Sequence, residues 1–112
     1  MIDKPISIAL AQLNSHLGNI AGNVECLIDA REKANAGGAN IIVTPEMFLS
    51  GYPCDDLVLR SDFMREVEAG ITRLASVTAD GGAAIIVGAP YSDQYGDDIT
   101  IYNSVFVLDD GK

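Results

Sequence analysis

Residues 40–60 read NIIVTPEMFLSGYPCDDLVLR, and they combine a strand, its end and a polar loop. The β-branched run Ile41–Val43 predicts a buried strand, and Pro45, which has no N–H to donate, ends it. Glu46 follows at once, so a carboxylate lies at the carboxyl end of a predicted sheet strand. Catalytic groups gather at that edge of α/β sheets, but a carboxylate there can also simply bond nearby backbone N–H groups. Position alone leaves both interpretations of Glu46 open.

The apolar pattern on either side of this stretch predicts two more strands. Apolar residues of both parities over Pro5–Leu13 and Ala83–Pro90 are typical of strands that are covered on both faces. A polar loop with Gly96, Asp97 and Asp98 then leads to a fourth strand at Ile99–Leu108. The alternation of strands with helical segments predicts an α/β fold built on a parallel crossover.

Helical spacing separates the first three strands. The first helix is expected to begin after the N-cap Asn19 and to run to about Ala36, because Gly37 and Gly38 supply a stop. The second helix shows its apolar face at the positions Phe63, Val67, Ile71 and Leu74. Ser61 or Asp62 is expected to cap it, and Gly81 and Gly82 follow it.

The last strand runs into Asp109-Asp110-Gly111, which predicts a hairpin turn. A hairpin turn is useful when a returning strand pairs with Ile99–Leu108, and none lies within the 112 residues. We therefore expect residues 1–112 to be part of one larger domain.

Composition excludes several classes of partner. Sixteen acidic and seven basic residues give a net charge of −9, which repels nucleic acid and anionic membrane surfaces. No apolar stretch approaches the roughly 20 residues that span a bilayer. Two cysteines without metal-ligand spacing or a secretory signal indicate reduced thiols, and hence a cytoplasmic protein.

Other polar side chains carry weaker functional signals. Cys54 lies beside acids that would raise a thiol pKa, and Cys26 adjoins the apolar stripe of the first helix, so neither is expected to be a nucleophile. His16 is expected at the surface, because no triad motif accompanies it. Tyr52 can orient a polar substrate or cover the start of the next helix, and both roles remain open.

Paired aspartates recur in predicted turns. None of the pairs has the spacing of a calcium loop, so solvated turns explain them and no metal site is expected. The pairs are Asp55-Asp56, Asp97-Asp98 and Asp109-Asp110.

Four segments together resemble a known family: AQLNSHLGNIAGNV, GANIIVTPEMFLSGYPCDDLVLR, AAIIVGAP and IYNSVFVLDDGK. They resemble the nitrilase, or carbon-nitrogen hydrolase, superfamily over nearly the whole chain. Within it, the extension GYPCDDLVLR is similar to the glutaminase domain that begins glutamine-dependent NAD synthetases. The resemblance implies a partial α-β-β-α sandwich, truncated after its fourth strand, with residues 1–112 as the N-terminal portion of the hydrolase domain and the synthetase domain absent.

The resemblance also implies a Glu-Lys-Cys site that hydrolyses the amide of glutamine, a small-molecule substrate, and supplies ammonia for NAD synthesis. Glu46 matches the family's catalytic glutamate, and Tyr52 matches a tyrosine close to the substrate. No cofactor is implied for residues 1–112, whereas ATP and Mg²⁺ are implied for the missing synthetase domain. The full-length protein is expected to be a homo-oligomer without nucleic-acid or membrane partners.

The chain departs from the family pattern in one respect. The family's lysine and cysteine lie further along than residue 112, and Lys112, Cys26 and Cys54 do not match their motifs. We therefore expect residues 1–112 to be inactive alone. Two other readings stay open: a stand-alone amidase of the same superfamily, and a non-catalytic module that pairs its exposed last strand with a partner.

Overall fold

One four-stranded sheet organises the structure, a computed structural model that describes residues 4–112. The strand order is β1-β2-β3-β4, in which β1, β2 and β3 are parallel and β4 is antiparallel to β3. The strands are β1 (Ile8–Leu10), β2 (Ile41–Val43), β3 (Ala84–Tyr95) and β4 (Asp98–Leu108).

Two helices make the crossovers between the parallel strands. The first, α1 (Ile20–Ala36), has the predicted cap, because the Asn19 side chain accepts the backbone N–H of Gly22 at 3.1 Å. The second, α2 (Ser61–Val77), begins after a short 3-10 helix, Asp55–Leu59. The cap prediction for α2 was wrong: its N-cap is Arg60, which makes no side-chain cap bond, and Ser61 and Asp62 are already helical because the chain turns in directly from the 3-10 helix.

Both helices pack on the same face of the sheet. Right-handed crossovers that advance in one direction along a sheet place their helices on one side. The core lies between this face and the helices, where Leu27 and Leu74 meet Ile85 and Val87, all four fully buried. This two-layer packing leaves the opposite face of the sheet without helices.

The other face of the sheet, here called the helix-free face, carries an apolar row. Registered pairing aligns its residues across all four strands: Leu10, Val43, Ile86 and Val107. Leu10 is 72% exposed and Val107 is 67% exposed. The expectation of cover on both faces was therefore wrong for Pro5–Leu13, because β1 is an edge strand and no second sheet is present among residues 4–112. Ala83–Pro90 has no exposed residue, in line with its predicted cover.

The third strand is longer than predicted. It continues beyond Pro90 to Tyr95 and pairs with β4 as far as Tyr95 opposite Asp98, so the expected polar loop is a hairpin arm. The sequence pattern missed this extension because Ser92, Asp93 and Gln94, all exposed, place polar residues on both faces of the arm, which antiparallel strands tolerate. The turn between β3 and β4 lies at Gly96 and Asp97, within the segment that the sequence predicted as a loop.

The turn after β4 is confirmed. Asp110 and Gly111 both have positive φ, at 52° and 82°, and the backbones of Asp109 and Lys112 exchange two hydrogen bonds of 3.0 Å. This is the type I′ geometry that the Asp-Gly pair predicts.

Candidate functional site

Glu46 is the first residue of a tight turn, residues 46–50, that follows β2. Met47 adopts a left-handed conformation, with φ of 52°, which costs about 1–2 kcal/mol for a residue other than glycine. The next two residues, Phe48 and Leu49, are 1% and 0% exposed. Because burial stabilises by about 1.5–3 kcal/mol for each such side chain, it outweighs the strain and holds the turn in place.

The turn lies directly on β3 at Gly88. The amide of Leu49 donates to the Gly88 carbonyl at 3.0 Å, and the amide of Gly88 donates to the Thr44 hydroxyl at 3.0 Å. A Cβ at Gly88 would come within 2.6 Å of the Met47 nitrogen and 2.7 Å of the Pro45 carbonyl oxygen. Only glycine therefore allows the backbone around Glu46 to approach the sheet this closely.

The buried side chain of Asn23 fixes the other side of the turn. Its amide nitrogen donates to the carbonyls of Leu49 and His16, at 3.0 and 2.9 Å, and its oxygen accepts the His16 amide at 2.8 Å. Gly18 also donates to the Ser50 carbonyl at 2.9 Å. The turn is thus attached to α1 and to the loop before it, which makes it a rigid support for Glu46.

The carboxylate of Glu46 is exposed and meets Asn103 of β4, whose side-chain amide donates to Oε1. Asn103 follows the alternation of Val105 and Val107, so it belongs to the helix-free face. No backbone N–H of residues 4–112 donates to this carboxylate, so the simple structural interpretation lacks the partners it requires. The geometry favours a carboxylate held ready for chemistry on the helix-free face.

The structure places the other candidate residues apart from one another. Tyr52 lies in the next turn with its side chain 72% exposed. Cys54 is 6% exposed within the core, and Cys26 is half-buried on α1, on the opposite face of the sheet from Asn103. His16 contributes its backbone to the Asn23 bonds, while the residue as a whole is exposed, in line with the predicted surface position.

The described part of the chain contains no group of three or more histidine, cysteine, aspartate or glutamate side chains close enough to hold a metal ion. No helix within residues 4–112 has the length and hydropathy needed to cross a bilayer.

Sequence reasoning missed Gly88, Asn23 and Asn103 as parts of this site. A signal was present for two of them, since glycine and asparagine are depleted in strands and both interrupt apolar strand runs here. Asn23 carried no such signal, because a polar residue near the start of a helix is ordinary.

Comparison with known proteins matches residues 7–112 of the chain to the family described as carbon-nitrogen hydrolase. A glutamine-dependent NAD(+) synthetase of Rhodobacter capsulatus is 42% identical over 105 residues, which cover 94% of this chain. The structure of a glutamine-dependent NAD+ synthetase from Acinetobacter baumannii superposes with a TM-score of 0.84 and 31% identity over 97% of this chain. An amidase from Nesterenkonia sp. superposes over 100% of this chain with a TM-score of 0.80 at 24% identity, which shows a shared fold.

These matches confirm the predicted fold, a part of a nitrilase-type sandwich. The chain spans 18% of the length of the Rhodobacter synthetase, 20% of the Acinetobacter synthetase and 41% of the amidase. The family match includes every residue that supports or contacts Glu46. The chain therefore belongs to the carbon-nitrogen hydrolase family.

Proposed function

We propose that this chain contributes the general base, Glu46, to a glutamine amide hydrolase that supplies ammonia for ATP-dependent NAD synthesis. The observation that carries the proposal is the placement of Glu46: at the carboxyl end of β2, on a rigid turn, with its carboxylate exposed beside Asn103. The relatives named as glutamine-dependent NAD synthetases support glutamine as the substrate.

In the proposed reaction, Glu46 accepts the proton of a cysteine thiol as the sulfur attacks the amide carbon of glutamine. A lysine stabilises the negative charge that develops on the carbonyl oxygen. The carbon-nitrogen bond then breaks, and Glu46 returns the proton to the nitrogen, which leaves as ammonia. Glu46 next takes a proton from water, which attacks the thioester, and the thiol is regenerated as glutamate leaves.

We place the cysteine and lysine of this site outside residues 1–112. The burial of Cys54 in the core and the position of Cys26 on the helix-covered face support this, because neither thiol shares the face on which the Glu46 carboxylate meets Asn103. By this proposal, residues 1–112 alone do not release ammonia. Tyr52 is proposed to contact the substrate, in line with its exposed ring in the adjoining turn.

The remaining proposals concern the longer protein. ATP and Mg²⁺ are assigned to a synthetase domain outside residues 1–112, and no residue of this chain is assigned to either. We also propose a homo-oligomer in the cytoplasm, and the two free thiols fit a reducing compartment.

A stand-alone amidase is the second candidate, because the Nesterenkonia amidase shares the fold over all of this chain. The two candidates differ in substrate. A glutaminase releases ammonia from glutamine faster than from short aliphatic amides, and an amidase does the reverse.

The test uses the full reading frame that contains residues 1–112 and measures ammonia release from glutamine and from butyramide. Glu46→Gln keeps the size of the side chain and removes its basicity, so we expect kcat to fall at least about 100-fold. Glu32→Gln, at an exposed position of α1, is the matched control and should retain wild-type activity.

Full activity in a folded Glu46→Gln variant would overturn the assignment of the base. Faster release from butyramide than from glutamine would favour the amidase. If residues 1–112 alone release ammonia, the cysteine and the lysine lie within them, and Cys54 and Lys112 become the candidates for these two roles.

A further inference from the structure

Asn103 interrupts the apolar pattern of β4 at one position. Residues of the same parity, Ile101, Val105 and Val107, are apolar on the helix-free face, and asparagine is depleted in strands. An asparagine here adds nothing to apolar packing on this face. Any contribution of Asn103 to stability or function must therefore come from a specific contact. That contact is the hydrogen bond to Glu46, made across 57 residues of sequence.

The bond has a defined direction. A carboxylate only accepts hydrogen bonds, so the Asn103 side chain must present its N–H group to Oε1 of Glu46. Among residues 4–112, no other side chain hydrogen-bonds this carboxylate, and no lysine or arginine forms an ion pair with it. The orientation of the carboxylate therefore depends on one neutral donor.

Two supports converge on Glu46 from different strands. The turn that carries its backbone rests on β3 at Gly88, and Asn103 reaches its carboxylate from β4, at the position paired with Pro90. Pro90 lies two residues beyond Gly88 along β3. The β3–β4 hairpin therefore contacts both the backbone and the carboxylate of Glu46.

We infer that Asn103 is a positioning residue for the general base: its amide holds Oε1 of Glu46 and leaves Oε2 free to exchange the proton with the thiol and the departing ammonia. The inference rests on the proposed function. A neutral amide orients the carboxylate without forming an ion pair that would compete with the substrate. Positioning of this kind acts on the rate of proton transfer and leaves substrate binding largely unchanged.

The test compares Asn103→Leu and Asn103→Gln in the full reading frame that contains residues 1–112. Leucine is nearly isosteric but has no N–H, whereas glutamine is longer but keeps the amide donor. If Asn103 acts as a donor, kcat falls about 100-fold in Asn103→Leu and is partly restored in Asn103→Gln, while KM stays within about twofold in both. If Asn103 serves packing alone, the order is reversed, because leucine fits the space better.

Thr100→Val is the matched control, since it removes a polar group from an exposed position of the same strand. A second comparison adds Asn103→Leu to Glu46→Gln. Because Asn103 is inferred to act through Glu46, the double variant should be no slower than Glu46→Gln alone.

The outcomes separate the two proposals. If wild type hydrolyses glutamine and Glu46→Gln does not, but Asn103→Leu keeps the wild-type kcat, the positioning inference is wrong and the proposed function stands. An additive loss in the double variant would also overturn the inference. If the wild-type protein hydrolyses neither glutamine nor butyramide, both proposals fall together.

Discussion

The backbone that carries Glu46 passes directly over Gly88, so there is no room at this position for a side chain larger than a hydrogen atom. The atoms that a Cβ would meet belong to the backbone of Pro45, Glu46 and Met47, which cannot rotate away as a flexible side chain can. The left-handed residue Met47 makes the turn less adaptable still. The position of the Glu46 carboxylate therefore depends on the absence of one methyl group.

Gly88→Ala should displace the turn and cost about 1–3 kcal/mol of stability through overpacking. Because a shift of about 1 Å in a catalytic group can cost on the order of 100-fold in rate, we expect the loss of kcat to exceed what the loss of folded protein explains. An ammonia-release assay measures the loss of kcat, and a thermal melt of the same variant measures the loss of stability. The control Gly37→Ala places its Cβ no closer than 3.6 Å to a neighbour and should be nearly silent; equal activity in the two variants would contradict the argument.

At the scale of elements, Arg31 connects α1 to the segment between α2 and β3. Its guanidinium is nearly buried and donates to the carbonyls of Ala83 and Val77, at 2.8 and 3.3 Å. It also binds the carboxylate of Asp80 through both terminal nitrogens, at 2.9 and 2.7 Å. The Arg31 hydrogen bonds, aided by the Gly82 amide, hold the pKa of Asp80 well below its ordinary value.

This lowered pKa predicts an acid dependence. A carboxylate with a depressed folded-state pKa stabilises the fold above its ordinary pKa of 3.8, and the contribution is lost as pH falls toward the folded-state pKa. Asp80→Asn should therefore be less stable than wild type near neutral pH, and the difference should shrink below pH 3.8. Wild type should take up about one more proton than the variant on acid unfolding.

Urea unfolding followed by circular dichroism across this pH range measures the effect. Asp29→Asn, which changes an exposed aspartate on α1, is the control. A difference between wild type and Asp80→Asn that stays constant with pH would show that the Arg31 pair does not couple stability to protonation.

At the scale of the whole molecule, the helix-free face carries an apolar row that is exposed at both ends, Leu10 and Val107, and half-buried between them. The α-β-β-α sandwich that the family resemblance implies would pack a second sheet on this face, whereas residues 4–112 form one sheet and its helices. Exposed apolar patches of this kind drive association, and the negative charge of −9 opposes it only at long range.

We therefore expect residues 1–112, expressed alone, to self-associate as concentration rises, which sedimentation velocity would detect. Val107→Lys places a charge at the β4 end of the row and should shift the distribution toward monomer. Leu59→Lys makes the same change at a side chain that is 75% exposed outside the row, and it should have little effect. Monomeric behaviour at all concentrations would contradict the argument and also count against an interaction module.

The sequence by itself determined the local features, because their partners lie within a few residues. Asn19 begins α1 by accepting an amide three residues on, and Asp110 with Gly111 makes the hairpin turn whatever surrounds it. The order of strands and helices followed from the spacing of apolar residues, which is also a local property of the sequence. Glu46 was identified as a candidate because a strand end can be read from Pro45 alone.

Tertiary structure decided what Glu46 touches. The hydrogen bond from Asn103 spans 57 residues, and the bond between Gly88 and Thr44 spans 44. Both depend on strand register, which is set by how the whole apolar face packs against α1 and α2, and no local pattern encodes it. The length of β3 and the exposure of β1 were decided at the same level, because they depend on which neighbouring strand or layer is present to pair with or cover each strand.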